Sequence, residues 1–249
     1  MKTRVILVGI GGATCSGKTT LAKHLRRILP GSVILHQDDF APPQELIPIH
    51  PEYKVQDWDS AEGAIDWKRM VKSLEEVKRT GIIPPEHYSH DHLNEQKDIP
   101  IDNAIFTRWR DTFAQIDEEH RKRGECVVWV MVDGFLLYWN AEVVDNLDVR
   151  VFLRVPHDVL RQRRHERHGY HTAEGTLWRD PPNYWEQIVW PAYVAAHAGM
   201  LEGGDVEHGR SNGAVPGLIL IDGLETSMSD AVEKVCEVLS QEVEDGGRT

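Results

Sequence analysis

The sequence predicts an α/β fold: a central parallel sheet with helices on both faces. Three observations carry that prediction. Apolar runs of strand length alternate with stretches whose apolar residues recur at helical spacing. The run at 126–132, Cys-Val-Val-Trp-Val-Met-Val, is apolar without interruption, as a strand buried on both faces must be. The first apolar run, 5–10, passes through a glycine-rich turn straight into a helical pattern.

That turn, Gly12-Ala13-Thr14-Cys15-Ser16-Gly17-Lys18-Thr19-Thr20, fits the phosphate-binding P-loop pattern G-x-x-x-x-G-K-[ST]. Its glycines let backbone N–H groups wrap an anion, and the helix N-terminus adds partial positive charge. Lys18 is expected to reach the β and γ phosphates, and the Thr19 hydroxyl to hold Mg²⁺. Cys15 reads as a small filler of the loop, not a nucleophile. Leu21, Ala22, Leu25, Ile28 and Leu29 then share one helical face.

A short strand at 32–35 ends in His36-Gln37-Asp38-Asp39-Phe40, and a loop with Pro42, Pro43, Pro48 and Pro51 follows. Residues 59–78 read as one helix, with Ala61, Ala64, Ile65, Met70, Val71 and Leu74 near helical spacing. Residues 79–124 are polar and less periodic. They read as an insertion, partly mobile, with loop at 82–97 and a polar helix at 106–123. The strand at 126–132 ends in Asp133-Gly134, and another strand spans 148–153. Residues 157–168 form a basic helix and 169–183 a loop with glycine and proline. The helix at 185–198 is expected to bend at Pro191. A flexible loop at 205–217, a last strand at 218–221 and an amphipathic helix at 231–243 complete the chain. The expectation is one domain, 1–249, with an insertion at 79–124 and a lid at 161–184.

Composition narrows the partners. The 249 residues are 41% hydrophobic and carry a net charge of −12. Nucleic acid needs a basic face, and an anionic membrane repels an acidic protein, so neither is expected. Three well-separated cysteines make neither a disulfide framework nor a zinc site, which fits a reducing compartment. Lys2, Arg4 and six apolar residues imitate a signal peptide, but the apolar run is short and enters the P-loop. A cytoplasmic protein is expected, with the nucleus possible. Two histidine clusters, His87, His90 and His92 and then His165, His168 and His171, lack partners at zinc spacing and read as solvated loop residues.

Ligands of parallel sheets bind at the carboxyl ends of the strands. The P-loop, the Asp38-Asp39 pair and Asp133 all fall there. Phosphoryl transfer to a hydroxyl needs a carboxylate to accept or orient the proton, and a second to approach Mg²⁺. Either Asp38 or Asp39 suits the first task; the bland reading is a turn pair. Asp133, of Walker-B type, suits the metal or the chemistry; its bland reading is a turn residue before Gly134. Arg161, Arg163, Arg164 and Arg167 precede the 169–183 loop, as in a lid that neutralises phosphoryl charge and excludes water. Arg164 is the expected catalytic member, with Arg161 and Arg167 on the nucleotide. Positions 161, 164 and 168 share one helical face, and 163 and 167 another. Trp58 and Asp59 suit a ribose-bearing substrate, the carboxylate taking vicinal hydroxyls and the ring covering the base. A core tryptophan beside an N-cap aspartate is the alternative.

Taken together these segments resemble the nicotinamide riboside kinases, of fungal type with an insertion, within the uridine-kinase-like P-loop kinases. The residues that carry the resemblance are Gly9 to Lys23 around the P-loop, Gln37-Asp38-Asp39-Phe40, Asp57-Trp58-Asp59, Val132-Asp133-Gly134-Phe135-Leu136-Leu137 and Val189-Trp190-Pro191-Ala192-Tyr193. The resemblance implies a P-loop kinase fold with an arginine-bearing lid. It implies transfer of the ATP γ-phosphate to the ribose 5′-hydroxyl of nicotinamide riboside, and of nicotinic acid riboside, for NAD salvage. By the same resemblance Asp39 meets the ribose and activates the 5′-hydroxyl. Asp38 and Asp133 stand on the Mg²⁺ side with Thr19, and Asp59 holds the ribose diol. Trp58 stands where the family commonly has tyrosine, and tryptophan is the better partner for a cationic pyridinium. Tyr170 and Tyr184 both compete for the second aromatic position. A monomer or weak homodimer is expected.

The alternatives are a uridine/cytidine kinase or another small-metabolite kinase of this fold. A GTPase switch is disfavoured because no N-K-x-D motif occurs. A non-catalytic nucleotide-binding scaffold is disfavoured by intact Lys18, Thr19, Asp39 and Asp133.

Overall fold

Five parallel strands form the sheet of the computed structural model, which describes residues 2–94, 97–167, 169–171 and 175–245. In chain order the sheet strands are β1 (Lys2–Gly12), β2 (Val33–His36), β3 (Glu125–Gly134), β4 (Val149–Arg154) and a last strand, Leu218–Asp222. They lie side by side as β2, β3, β1, β4 and Leu218–Asp222. The register sets Ile10 beside Asp133 and His36 beside the same Asp133. The ends of β1, β2 and β3 are therefore level, and everything that follows those strands gathers along one edge.

Alternation along β1 explains the layers. Ile6, Val8 and Ile10 face one core, with α1 (Lys18–Ile28) and the C-terminal helix Met228–Asp245. Leu7 faces the other core, with Met70, Leu74, Val143 and Ile188. Successive residues of a strand point to opposite faces, so one apolar run serves two layers.

The predicted helix over 59–78 is two helices. α2 (Ala61–Ala64) ends at Ile65, whose φ of −131° and ψ of 135° are extended. α3 (Trp67–Thr80) restarts with Asp66 as N-cap, accepting from the Arg69 N–H. The apolar spacing continues across the break, and for that reason the periodicity misses it. The insertion carries α4 (Asn103–Lys122), longer than predicted and capped by Asp102. Phe113 of α4 is buried and meets Trp129 of β3 edge-on at 5.5 Å. Much of the insertion is therefore a layer of the fold.

After α5 (Ala141–Asn146) and β4 comes α6 (His157–Glu166), the basic helix. The predicted loop 169–183 contains a small antiparallel ladder, β5 (Tyr170–His171) against β6 (Leu177–Trp178). The expected bend at Pro191 is a π-turn over Trp185–Val189, leading into α7 (Trp190–His197). Proline has no N–H, and the Trp190 N–H reaches back five residues to the Trp185 carbonyl instead. The last sheet strand, Leu218–Asp222, is β7, and the C-terminal helix is α8. Among the described residues no helix is long and apolar enough to cross a membrane.

Candidate active site

The phosphate loop is shaped by two glycines with different constraints. Gly12 has φ 145°, and a Cβ there would lie 2.5 Å from the Leu153 carbonyl oxygen. Gly17, at φ 99°, is the N-cap of α1 and brings no side chain to cap it. The first N–H groups of α1 are thus left for an anion. Cys15 also takes a positive φ, 62°, and its Sγ lies 3.3 Å from the Tyr170 hydroxyl. Lys18 and Thr19 line the cleft in front of this loop, and so does Thr14.

Opposite them stands Asp133, buried at the end of β3. Its Oδ2 accepts from the Thr19 hydroxyl at 2.6 Å and contacts His36 Nδ1 at 3.1 Å. Burial works against the Asp133 charge, but His36, Lys18 and Thr19 together hold its pKa below the ordinary carboxylate range. His36 is raised in return: burial opposes its charged form, and the Asp133 bond with the Asp133, Asp91 and Asp39 charges overcomes that. Asp133 Oδ1 is buried with no hydrogen-bond partner. An orphan carboxylate oxygen beside the Thr19 hydroxyl fits a hard, oxygen-seeking cation such as Mg²⁺. Among the described residues no group of three or more His, Cys, Asp or Glu could hold a metal ion.

The two aspartates after β2 part company. Asp38 is exposed to the cleft, yet crowded by protein; that desolvation pushes its pKa up, Lys18 opposes the rise, and Asp133 adds to it. Asp39 is buried. Its Oδ1 accepts from the His90 N–H at 3.0 Å, and its Oδ2 lies 3.3 Å from His87 Nε2. Burial resists its ionisation, but the His87 and His90 contacts win and lower its pKa. The turn that presents both, Gln37–Phe40, is clamped at each end. Gln37 Oε1 accepts from the Leu136 N–H at 2.8 Å. Arg69 donates to the Asp39 and Ala41 carbonyls at 3.0 and 3.2 Å, with its guanidinium 5.0 Å from the Phe40 ring centre.

Further along the cleft, Asp57 does the capping that the sequence left open for Asp59. Its Oδ1 accepts from the Asp59 and Ser60 N–H groups. Asp59 is released to face Arg164, at 3.5 Å, and its Oδ2 is buried without a partner. Burial raises its pKa to about 6, against the pull of Arg164. Burial likewise opposes the Arg164 charge, but Asp59, Tyr170 and Asp180 push that pKa up. Arg164 is held by a two-point bond to Asp180, at 2.6 and 3.0 Å.

Trp58 lines the same cleft, and its ring centre lies 5.7 Å from that of Trp178. Trp178 is anchored through its Nε1–H to Asp180 at 3.1 Å. Of the two tyrosines expected to compete for the second aromatic place, Tyr170 lines the cleft and Tyr184 does not. Tyr184 is buried beneath it, donating to the Gln56 carbonyl and accepting from the Trp58 N–H. Its task is to staple the segment that carries Trp58.

The arginines of α6 and of the residue after it divide as well. Arg164 and Arg167 line the cleft, and Arg167 lies 4.2 Å from the Tyr170 ring centre. Arg163 donates to the Cys15 carbonyl at 3.2 Å. Arg161 points away, paired with Glu186 at 2.7 Å. Position 168, expected to share its face, lies outside the described residues.

The nicotinamide riboside kinase of Saccharomyces cerevisiae is 34% identical to this chain over 205 residues, which cover 82% of each protein. The chain belongs to the nicotinamide riboside kinase family. These are phosphotransferases with an alcohol acceptor. The nicotinamide riboside kinase of Schizosaccharomyces pombe is 34% identical over 83% of this chain and 85% of its own length. Human nicotinamide riboside kinase 2 is 30% identical over 76% of this chain and 66% of its own. No protein-family model matches the chain.

Three kinds of residue at this cleft have no clear mark in the sequence. Trp178 sat in a stretch read as loop, where a lone tryptophan has no periodic signal. Asp180 lay in the same stretch. The sequence reads the histidines of 87–92 as solvated, yet the His87 side chain is buried and His90 and Asp91 line the cleft. Their signal was present in the clustering, but nothing in the sequence shows that the insertion folds back on β2.

Proposed function

We propose that this chain transfers the γ-phosphoryl group of ATP to the 5′-hydroxyl of nicotinamide riboside, and of nicotinic acid riboside. One observation carries the reading: the phosphate loop and the Trp58–Asp59–Arg164–Trp178 group line a single cleft, with Lys18, Asp38 and Asp133 in it as well. A phosphate donor and a ribose-bearing acceptor would meet across those three residues.

The loop N–H groups and Lys18 bind the donor phosphates and hold the γ-phosphoryl in line. Arg167 adds positive charge from the lid side. Asp59 accepts two ribose hydroxyls through its unpartnered oxygen, and Arg164 donates to the same diol. Trp58 and Trp178 face the base, and a cationic pyridinium gains attraction from both rings. Asp38 takes the proton of the 5′-hydroxyl as the new O–P bond forms and the bond to the β-phosphate oxygen breaks, releasing ADP. We assign that task to Asp38 in place of Asp39, because Asp38 opens to the cleft beside Lys18 while both Asp39 oxygens are engaged by His87 and His90. Thr19 and Asp133 would hold Mg²⁺, which supplies charge neutralisation between the phosphates.

An ADP-release assay with nicotinamide riboside, nicotinic acid riboside, uridine and cytidine tests the reading. Turnover of the pyridine ribosides is expected, and turnover of the pyrimidine nucleosides alone would refute it. Within that assay Trp178→Ala is expected to raise KM for nicotinamide riboside about tenfold, the scale of one lost base–aromatic stack. Trp178→Phe should recover most of it. An unchanged KM in the alanine variant would remove Trp178 from the acceptor site.

A further inference from the structure

His90, Asp91 and Asn94, from the segment 84–94 in the first part of the insertion, form part of the cleft wall. Lys23 of α1 pairs with Asp91 at 2.7 Å. On the opposite side the His171 N–H of the lid donates to Asn94 Oδ1 at 3.1 Å. The segment is therefore tied to the helix behind the phosphate loop and to the lid.

Its inward contacts converge on one carboxylate. His90 reaches Asp39 Oδ1 twice, through its N–H at 3.0 Å and its ring Nδ1 at 3.4 Å. His87 packs its ring against Phe40, centre to centre 5.2 Å, and sets Nε2 3.3 Å from Asp39 Oδ2. The side chains of both members of this second pair are almost wholly buried, and neither atom has a hydrogen-bond partner elsewhere. A buried carboxylate oxygen without its counterpart would be left desolvated and unpaired, which costs more than the bond itself contributes.

We propose that His87 and His90 are positioning residues of the phosphoryl transfer: they fix Asp39, and through it the Gln37–Phe40 turn that presents Asp38 to the acceptor hydroxyl. Gln37 and Arg69 hold that turn from the backbone side, and the two histidines hold it by its side chain. The insertion is then part of the acceptor site. This inference rests on the proposed transfer to a riboside for its kinetic readout, though not for its structural one.

The kinetic test compares His87→Ala and His90→Ala with His87→Gln and His90→Asn, whose amides replace the ring nitrogens that face Asp39. His87→Ala is expected to lose on the order of tenfold in kcat with nicotinamide riboside, as small misplacements of a reacting group do, while KM moves less than about threefold; His90→Ala, which keeps its backbone N–H bond to Asp39, loses less. The glutamine and asparagine variants should regain most of that kcat. A folded alanine pair with unchanged kcat overturns the proposal. Amide variants as impaired as the alanines also overturn it, because the rings would then act directly. The structural test is amide hydrogen exchange in the ligand-free protein: Asp39→Ala should speed exchange of the His90 N–H, and an unchanged rate overturns the contact. Wild-type protein that ignores every riboside would sink the proposed reaction and leave the exchange result standing.

Discussion

Asp38→Asn is expected to lower kcat by on the order of a thousandfold with nicotinamide riboside, within the range found for removal of a general base. The physical reason is local. The 5′-hydroxyl must lose its proton as the O–P bond forms, and a neutral amide accepts that proton poorly. Both aspartates line the cleft, but Asp38 is the exposed one, with Lys18 drawing on its charge and Asp133 repelling it, while Asp39 is buried against His87 and His90. The substitution keeps shape and size, so the phosphate loop is undisturbed and the affinity for ATP, read by calorimetry, should stay within about threefold of wild type. Asp39→Asn keeps one oxygen for the His90 N–H and is expected to lose far less, about tenfold. The reverse order of severity would return the proton-accepting role to Asp39.

The second large effect falls on Asp59, where activity and stability move in opposite directions. Asp59→Asn should lower kcat/KM for the riboside by on the order of a hundredfold, since charge-assisted bonds to two hydroxyls each contribute about 1.5–3 kcal/mol. The pH profile adds a signature. The free enzyme must carry Asp59 ionised, and its pKa is raised to about 6. The wild-type kcat/KM is therefore expected to fall as pH drops through about 6, and the asparagine variant should lack that limb.

Folding responds with the other sign. A carboxyl whose folded pKa lies above its unfolded value contributes stability at low pH and loses it as pH rises through the folded pKa. The displacement, from 3.8 to about 6, corresponds to roughly 3 kcal/mol at about 1.4 kcal/mol per unit. Asp59→Asn removes that burden while Asp180 still holds Arg164 at two points. Urea denaturation at pH 8 should thus find the less active variant more stable than wild type by about 1–3 kcal/mol. Equal or lower stability at pH 8 would show that the Arg164 pair outweighs the burial. Stability surrendered for a working charge is a familiar trade at binding sites.

The parts of the fold that were legible share a cause. β1 and β3 are buried on both faces, so their residue types are constrained at every position, and a continuous apolar run results. α1 and α8 bury one stripe each and show it as spacing. The break between α2 and α3 was invisible because it preserves the spacing and changes only the backbone angles of Ile65. α4 was anticipated too short because its polar surface outweighs the one deeply buried ring, Phe113.

The same division runs through the cleft. Donor-side residues lie within one turn of chain, Gly12 to Thr20, and local geometry alone dictates glycine, lysine and threonine there. The residues proposed for the acceptor side come from segments far apart in sequence: Trp58 and Asp59, Arg164, Trp178 and Asp180, and His87 and His90. Tyr170 and Tyr184 illustrate the limit. Both are tyrosines in one stretch, and only packing sends one into the cleft and the other beneath Trp58.

By itself the sequence determined the parallel sheet, the phosphate loop at one strand end and the carboxylates at two others, because each is written in contiguous residues under strong local constraint. The tertiary structure alone decided which aspartate stays exposed in the cleft, which aromatic faces Trp58, and that His90, Asp91 and Asn94 line the same cleft. Those are contacts between segments tens of residues apart, specified by how surfaces fit once the layers have packed, and no local pattern encodes them.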